Sequence, residues 1–212
     1  MNRQELKARA KSQLGGIFEP NWIYALLISL IASLIISAAS VVPVLGSLIV
    51  WGPMMYAVSK ALLKLSRTGE KPDLNVLFDG FKDDFGETLL IGLLSTIFIC
   101  LWSLLFVIPG IVKSYAYSMA YYIKVDHPEY DWRKCLKESE ALTKGHKGEL
   151  FVLDLSFIGW LIVGSLCLGV GVLWVAPYMD LTKANFYNDL VAQQTGTVEF
   201  EQEDSTFSEF EG

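Results

Sequence analysis

The sequence predicts an all-α protein, a polytopic membrane helix bundle of about six transmembrane helices. These form three repeated hairpins, each preceded by a cytoplasmic amphipathic helix. Three observations predict it. Hydrophobic residues make up 52% of the chain and charged residues only 19%, below the roughly 25% of soluble domains. No charged residue stands between Glu19 and Lys60, a run about twice the ~20 residues that cross the hydrocarbon core once. The basic residues gather on one side of the spans so defined.

The first element is a basic helix in which Leu6, Ala10 and Leu14 recur at helical spacing, leading to Gly15-Gly16. The charge-free run then breaks at Val41-Val42-Pro43-Val44-Leu45-Gly46, where Pro and Gly interrupt helical hydrogen bonding. It yields spans at residues 22–42 and 47–65. Ser37-Ala38-Ala39 resembles a signal-peptide cleavage site. A mostly polar segment precedes this stretch and the apolar run continues past it, so it is read as a retained span.

A polar segment with apolar residues at three- and four-residue spacing covers 74–86. The third and fourth spans follow at 88–108 and 111–125, broken at Pro109-Gly110. A second such polar segment covers 132–148. The fifth and sixth spans, 150–168 and 172–190, flank Gly169-Val170-Gly171. Residues 191–212 hold Glu199, Glu201, Glu203, Asp204, Glu209 and Glu211 and no base. These six of 23 acids leave 17 against 17 bases, so the formal charge of −6 belongs to this tail. A segment of that composition buries too little apolar surface to fold, so it is expected to be disordered and cytoplasmic.

The hairpins align with one another. A shift of 64 residues superposes Gly46 on Gly110, Trp51 on Tyr115 and Lys60 on Lys124. A shift of 123 superposes the same three on Gly169, Trp174 and Lys183. Three copies of one unit, at about 1–65, 66–125 and 126–190, account for this. Orientation follows from the 17 bases. All but Lys113 precede the first span, follow the second or fourth, or sit in the inner half of the sixth. That bias marks the cytoplasmic side of the membrane and places both ends there. The very short turns on the other face leave nothing for an extracellular receptor to present.

Ionisable groups inside spans are the best functional candidates, because each costs about 2.5–3.5 kcal/mol at the bilayer centre on insertion scales. Asp180 stands one helical turn before Lys183, so the two are expected to pair on one face. Asn185 extends this candidate intramembrane polar site, and Asp154 lies near the start of the fifth span. Lys60, Lys124 and Lys183 are candidate lipid-facing bases, and Lys113 is expected to snorkel towards the outer face. Pro53, Pro109 and Pro177 sit in or beside the second helix of a hairpin or its turn, where each removes a backbone hydrogen bond.

Several classes lack support. There is no nucleophile elbow, zinc-protease, P-loop or dinucleotide motif, so catalytic residues and cofactors are expected to be absent. His127 and His146 have no ligand cluster at metal spacing. Cys100, Cys135 and Cys167 are scattered and form no disulfide framework. The expected partners are the lipid bilayer and anionic headgroups at the cytoplasmic face, with a protein partner through the acidic tail or a second copy, and no nucleic acid. The expected role is a non-enzymatic scaffold or regulator. The alternative is a small transporter or channel subunit using Asp180 and Lys183.

The strings MNRQELKARAK, FVIPGIVKSYAYSMAYYI, ESEALTKGHKGELF, LSFIGW, GVGVLWVAPYM and NFYNDL together resemble the bacterial integral membrane family known as domain of unknown function 975. The resemblance covers roughly residues 1–190. It implies a multi-pass bacterial membrane protein and brings no activity, ligand or site residue.

Overall fold

A computed structural model describes residues 3–14, 20–39, 45–71, 73–82, 84–166 and 170–209. Of the breaks expected at 41–46 and 169–171, residues 41–44 and 169 lie outside these segments, while 45–46 and 170–171 open helices. The described chain is helical, with no strand among the described residues. Its helices are α1 (Arg3–Leu14), α2 (Pro20–Ala39), α3 (Leu45–Thr68), α4 (Asp79–Lys82), α5 (Phe85–Leu105), α6 (Val107–Tyr117), α7 (Ala120–Asp126), α8 (Trp132–Leu142), α9 (Lys147–Leu166) and α10 (Val170–Glu209). α10 continues as helix through the acidic segment expected to be disordered.

The second helix of each hairpin lies inside. α3 buries Met54, Tyr56, Ala57, Ala61, Leu62, Leu63 and Leu65. α7 buries Ala120, Tyr122 and Ile123, and α10 buries Leu181, Ala184, Phe186, Tyr187 and Leu190. The first helices, α2, α5 and α9, lie outside and present Leu30, Leu34, Ile97, Leu101, Leu155 and Trp160 to the surroundings. Each polar segment packs against the second helix of a hairpin. The segment containing α4 lies on α3, α8 on α6 and α7, and α1 on α10.

Four expectations change in detail. The second hairpin turns at Phe106, which is extended with φ −155° and ψ 139°, and not at Pro109-Gly110. Pro109 instead occupies the first turn of α6, where a missing N–H breaks no helical bond. Gly110 lets α6 approach α5, since a Cβ there would overlap the Ser103 side chain.

The fourth span is not one helix. It breaks at Ser118 and Met119 between α6 and α7. The buried Ser139 of α8 bridges the break, donating to the Ala116 carbonyl at 2.7 Å and accepting from the Met119 N–H at 3.2 Å. One hydroxyl thereby satisfies two backbone groups that a broken helix would leave orphaned.

The polar segment at 74–86 is also not one amphipathic helix. It forms a 3-10 turn over Leu74–Phe78, capped by Asp73 accepting from the Asn75 N–H, and then the single turn of α4. Gly80 lies so close to the Pro53 carbonyl that a Cβ would collide with it, so this stretch follows the surface of α3. Finally, Lys113 does not reach the outer face. Its ammonium pairs with Glu140 of α8 at 2.6 Å, because α8 packs along the break in α6 and brings a carboxylate within reach.

Among the described residues one helix, the 21-residue α5, is long and apolar enough to cross a membrane, spanning about 31 Å at 1.5 Å per residue. A shorter apolar helical stretch covers Asn21–Ser37 of α2. α3 carries Lys60, Lys64 and Arg67 towards its end, and α6 and α7 have 11 and 7 residues.

α3 and α5 cross with backbones nearly touching. A Cβ on Gly92 would stand 2.9 Å from Gly52 Cα, and one on Gly52 would strike the Thr88 carbonyl. Gly86, on the same helix as Gly92, has open space where its side chain would be. Gly52→Val is therefore expected to lower stability by about 1–3 kcal/mol through overpacking, read as a fall in the melting temperature of purified protein. Gly86→Ala leaves that temperature unchanged or slightly raised.

Candidate functional site

The ends of α3 and α7 meet the middle of α10, and each of the three helices contributes a polar side chain to one junction. Arg67 lies in the last turn of α3, where a cation also complements the helix dipole. Its two terminal nitrogens donate to Asp126 Oδ1 and Oδ2 at 2.6 and 2.7 Å, and its Nε donates to Asn188 Oδ1 at 3.0 Å. Asp126 is the last residue of α7 and Asn188 belongs to α10. One planar guanidinium thus ties three helices through a fork that lysine cannot reproduce. The hydrogen bond to Asp126, aided by charge attraction, outweighs the opposing effect of burial and holds Arg67 above its ordinary pKa.

The network spreads from there. Tyr187 donates its hydroxyl to Asp126 Oδ2 at 2.9 Å, and its ring stacks on Tyr122 at 5.3 Å. Asn188 Nδ2 donates to Ser66 Oγ at 2.9 Å. Gln13 of α1 donates to the Ser66 carbonyl at 2.6 Å and accepts from Asn185 at 2.7 Å. Arg9 pairs with Asp189 at 2.6 Å. The basic amino-terminal helix is therefore docked by polar bonds as well as by Leu6, Ala10 and Leu14, all buried.

The expected intramembrane site is rearranged. Lys183 pairs with Asp154 of α9, Nζ to Oδ1 at 3.1 Å, rather than with Asp180. Asp154 Oδ2 accepts from the Tyr115 hydroxyl at 3.1 Å. Asp180 remains half-buried one turn away from Lys183. Lys7 comes close from α1, donating to the Ser156 carbonyl at 3.3 Å and lying 3.9 Å over the Phe157 ring. Desolvation, and then nearby Arg3, lower its pKa. Asn185 does not join this group. Five residues on a helix rotate it about 140° from Asp180, which turns it to Gln13.

The three lysines expected to face lipid are instead directed at carboxylates. Lys60 pairs with Asp79 at 2.7 Å. Lys124 is 1% exposed. It donates to the carbonyls of Pro128 and Tyr130 at 2.6 and 2.9 Å and stands 3.1 Å from Asp84. A buried ammonium without such partners would be costly, and the aspartates and carbonyls remove the need to snorkel. Cys135, close to Lys124, has its thiol pushed up to about 11 chiefly by burial, so it stays protonated and is a poor nucleophile. No cluster of three or more potential metal ligands occurs among the described residues.

Sequence reasoning missed the junction. A signal was present: each aligned lysine is followed within seven positions by Arg67, Asp126 or Asn188. Complementary groups shortly after three aligned lysines suggest convergence, though spacing alone does not say that they touch.

Fold and site define an all-helical protein in which Arg67, Asp126 and Asn188 tie three helices at one polar junction. The chain belongs to the family described as protein of unknown function (DUF975), which matches residues 1–113 and 104–194. No curated protein and no solved structure matches it.

A double-mutant cycle tests the junction. Arg67→Lys and Asp126→Asn are each expected to destabilise the protein, with a coupling energy of about 1–3 kcal/mol, the worth of hydrogen bonds to charged groups. Thermal unfolding of the two single variants and the double variant measures it.

Proposed function

We propose that this is an integral membrane protein whose long helices cross the bilayer as three hairpins, six spans in all. In this reading it resides in a bacterial plasma membrane with both ends in the cytoplasm. It acts without catalysis, as a scaffold or regulator within the membrane or at its cytoplasmic face. The observation that carries the reading is the exposed apolar surface at one end of the bundle. Leu101, Leu104, Leu105, Phe106, Val107 and Ile108 are all exposed, Leu104 to 86%, where α5 meets α6. Isolated exposed apolar residues are ordinary, but an uninterrupted run of this size calls for an apolar surrounding. The opposite end holds the Arg67 junction and the exposed bases Arg133, Lys134, Lys137 and Lys144, placed to meet anionic headgroups.

The charges that α3, α9 and α10 carry do not bar them from the bilayer, because Lys60 and Lys183 have aspartate partners. The scaffold or regulator role is favoured because the junction's donors and acceptors are satisfied by one another, leaving no reactive group poised towards a substrate.

The transporter reading also has one observation in its favour. Lys183 is committed to Asp154, so Asp180 has no ion pair of its own among the described residues. Asp180→Asn in reconstituted vesicles tests it. Lost proton or solute flux with folding intact supports transport, and unchanged flux removes that reading.

Topology is tested with single cysteines placed in a chain whose own three cysteines are replaced by alanine. A membrane-impermeant maleimide should label Ile108→Cys in intact cells, and Glu70→Cys and Lys144→Cys only after permeabilisation. The reverse pattern would overturn the orientation. Recovery of the protein outside the membrane fraction would overturn the reading as a whole.

A further inference from the structure

Beside the junction, α7, α8 and α10 line an open pocket of about 370 Å³, within the roughly 300–1,000 Å³ of small-molecule sites. Its walls divide into two kinds. Ile123, Leu142 and Val191, with Tyr187, are apolar or aromatic, while Asp126 and Glu138 supply carboxylates. No Lys or Arg lines it. Asp126 is already matched by Arg67, whereas Glu138 has no ion-pair or hydrogen-bond partner among the described residues.

That isolation is unexpected on helix geometry. Lys134 stands four residues before Glu138 on α8 and is its natural partner. Its ammonium instead lies 3.5 Å over the Tyr130 ring, and Tyr130 is held from the other residue of the turn by stacking with His127 at 4.4 Å and 8°. The cation that belongs to Glu138 is thus drawn away, and the carboxylate is left in the wall of a half-apolar cavity. A carboxylate in such surroundings gains most from a cationic partner that also fills the apolar part.

We propose that this cavity binds a protonated amine or guanidinium carried on an alkyl stem, with Glu138 taking the charged head and Ile123, Leu142 and Val191 taking the stem. The chemistry is shared by a free polyamine and by the lysine or arginine side chain of a protein segment. The inference stands apart from the number of membrane crossings, since it rests on the packing of α7, α8 and α10 alone.

The test uses the full chain in nanodiscs of phosphatidylcholine, a net-neutral lipid that offers no competing anionic surface, with binding followed by calorimetry. Spermidine and a short arginine-containing peptide are the two probes. Saturable binding of spermidine alone assigns the site to free amines, and binding of the peptide alone assigns it to a protein side chain. Either supports the site, provided that Glu138→Gln weakens it about tenfold or more without lowering the melting temperature. Thr195→Trp, an exposed change at the cavity rim, should block binding too, and keeps the test decisive if Glu138→Gln folds poorly. Binding of neither probe would overturn the proposal. So would binding unaffected by both variants but abolished when the acids between 199 and 211 are neutralised.

Discussion

Everything at the polar end of the bundle depends on how the Arg67 guanidinium is matched. It presents a planar set of donors, and Asp126 at the end of α7 and Asn188 of α10 supply three acceptor oxygens. Remove that match and three helices lose their common fixed point, while Asp126 and Asn188 are left short of partners. Hydrogen bonds to charged groups contribute about 1.5–3 kcal/mol each, and here they act at the positions where hairpins from distant parts of the chain must find one another. Apolar packing along α3 and α10 brings these helices together without fixing their rotation or depth. The fork fixes both.

The same logic extends to the other charges. Lys60, Lys113, Lys124 and Lys183 all sit in helices of high apolar content, and each has an acidic partner from another element. These pairs join α3 to α4, α6 to α8, α7 to the residue before α5, and α10 to α9. A pair of this kind contributes less net stability than an apolar contact of the same size, because desolvation consumes much of the attraction. Its effect is selective, since a helix docked in the wrong register would strand a charge. The broken fourth segment follows the same rule at the level of the backbone, with Ser139 standing in for the missing helical bonds.

Much of this architecture was legible in the sequence, and the illegible parts share a cause. Helical periodicity, charge-free runs and Gly or Pro breaks located the helices, because those signals are local. The turn at Phe106 escaped because Pro109 and Gly110 are strong breakers in general yet serve a first helical turn and a close approach here. The partner of Lys183 escaped because Asp180 is near in sequence while Asp154 is near in space, and spacing along one helix cannot rank the two. Lys124 was expected at the surface because a lone lysine in an apolar stretch commonly snorkels. The carbonyls of Pro128 and Tyr130 that retain it belong to a loop whose path no periodicity describes. The Arg67 junction is the clearest instance, since its members come from α1, α3, α7 and α10.

The convergence of the second helices is therefore the claim on which the account stands. It is tested most directly by oxidative cross-linking of Ser66→Cys with Asn188→Cys, in a chain otherwise free of cysteine and still in its native membranes. Ser66 Oγ and Asn188 Nδ2 lie 2.9 Å apart, so rapid formation of an intramolecular disulfide is expected, seen as a mobility shift reversed by reductant. Absence of the cross-link, or its appearance only between chains, would contradict the account.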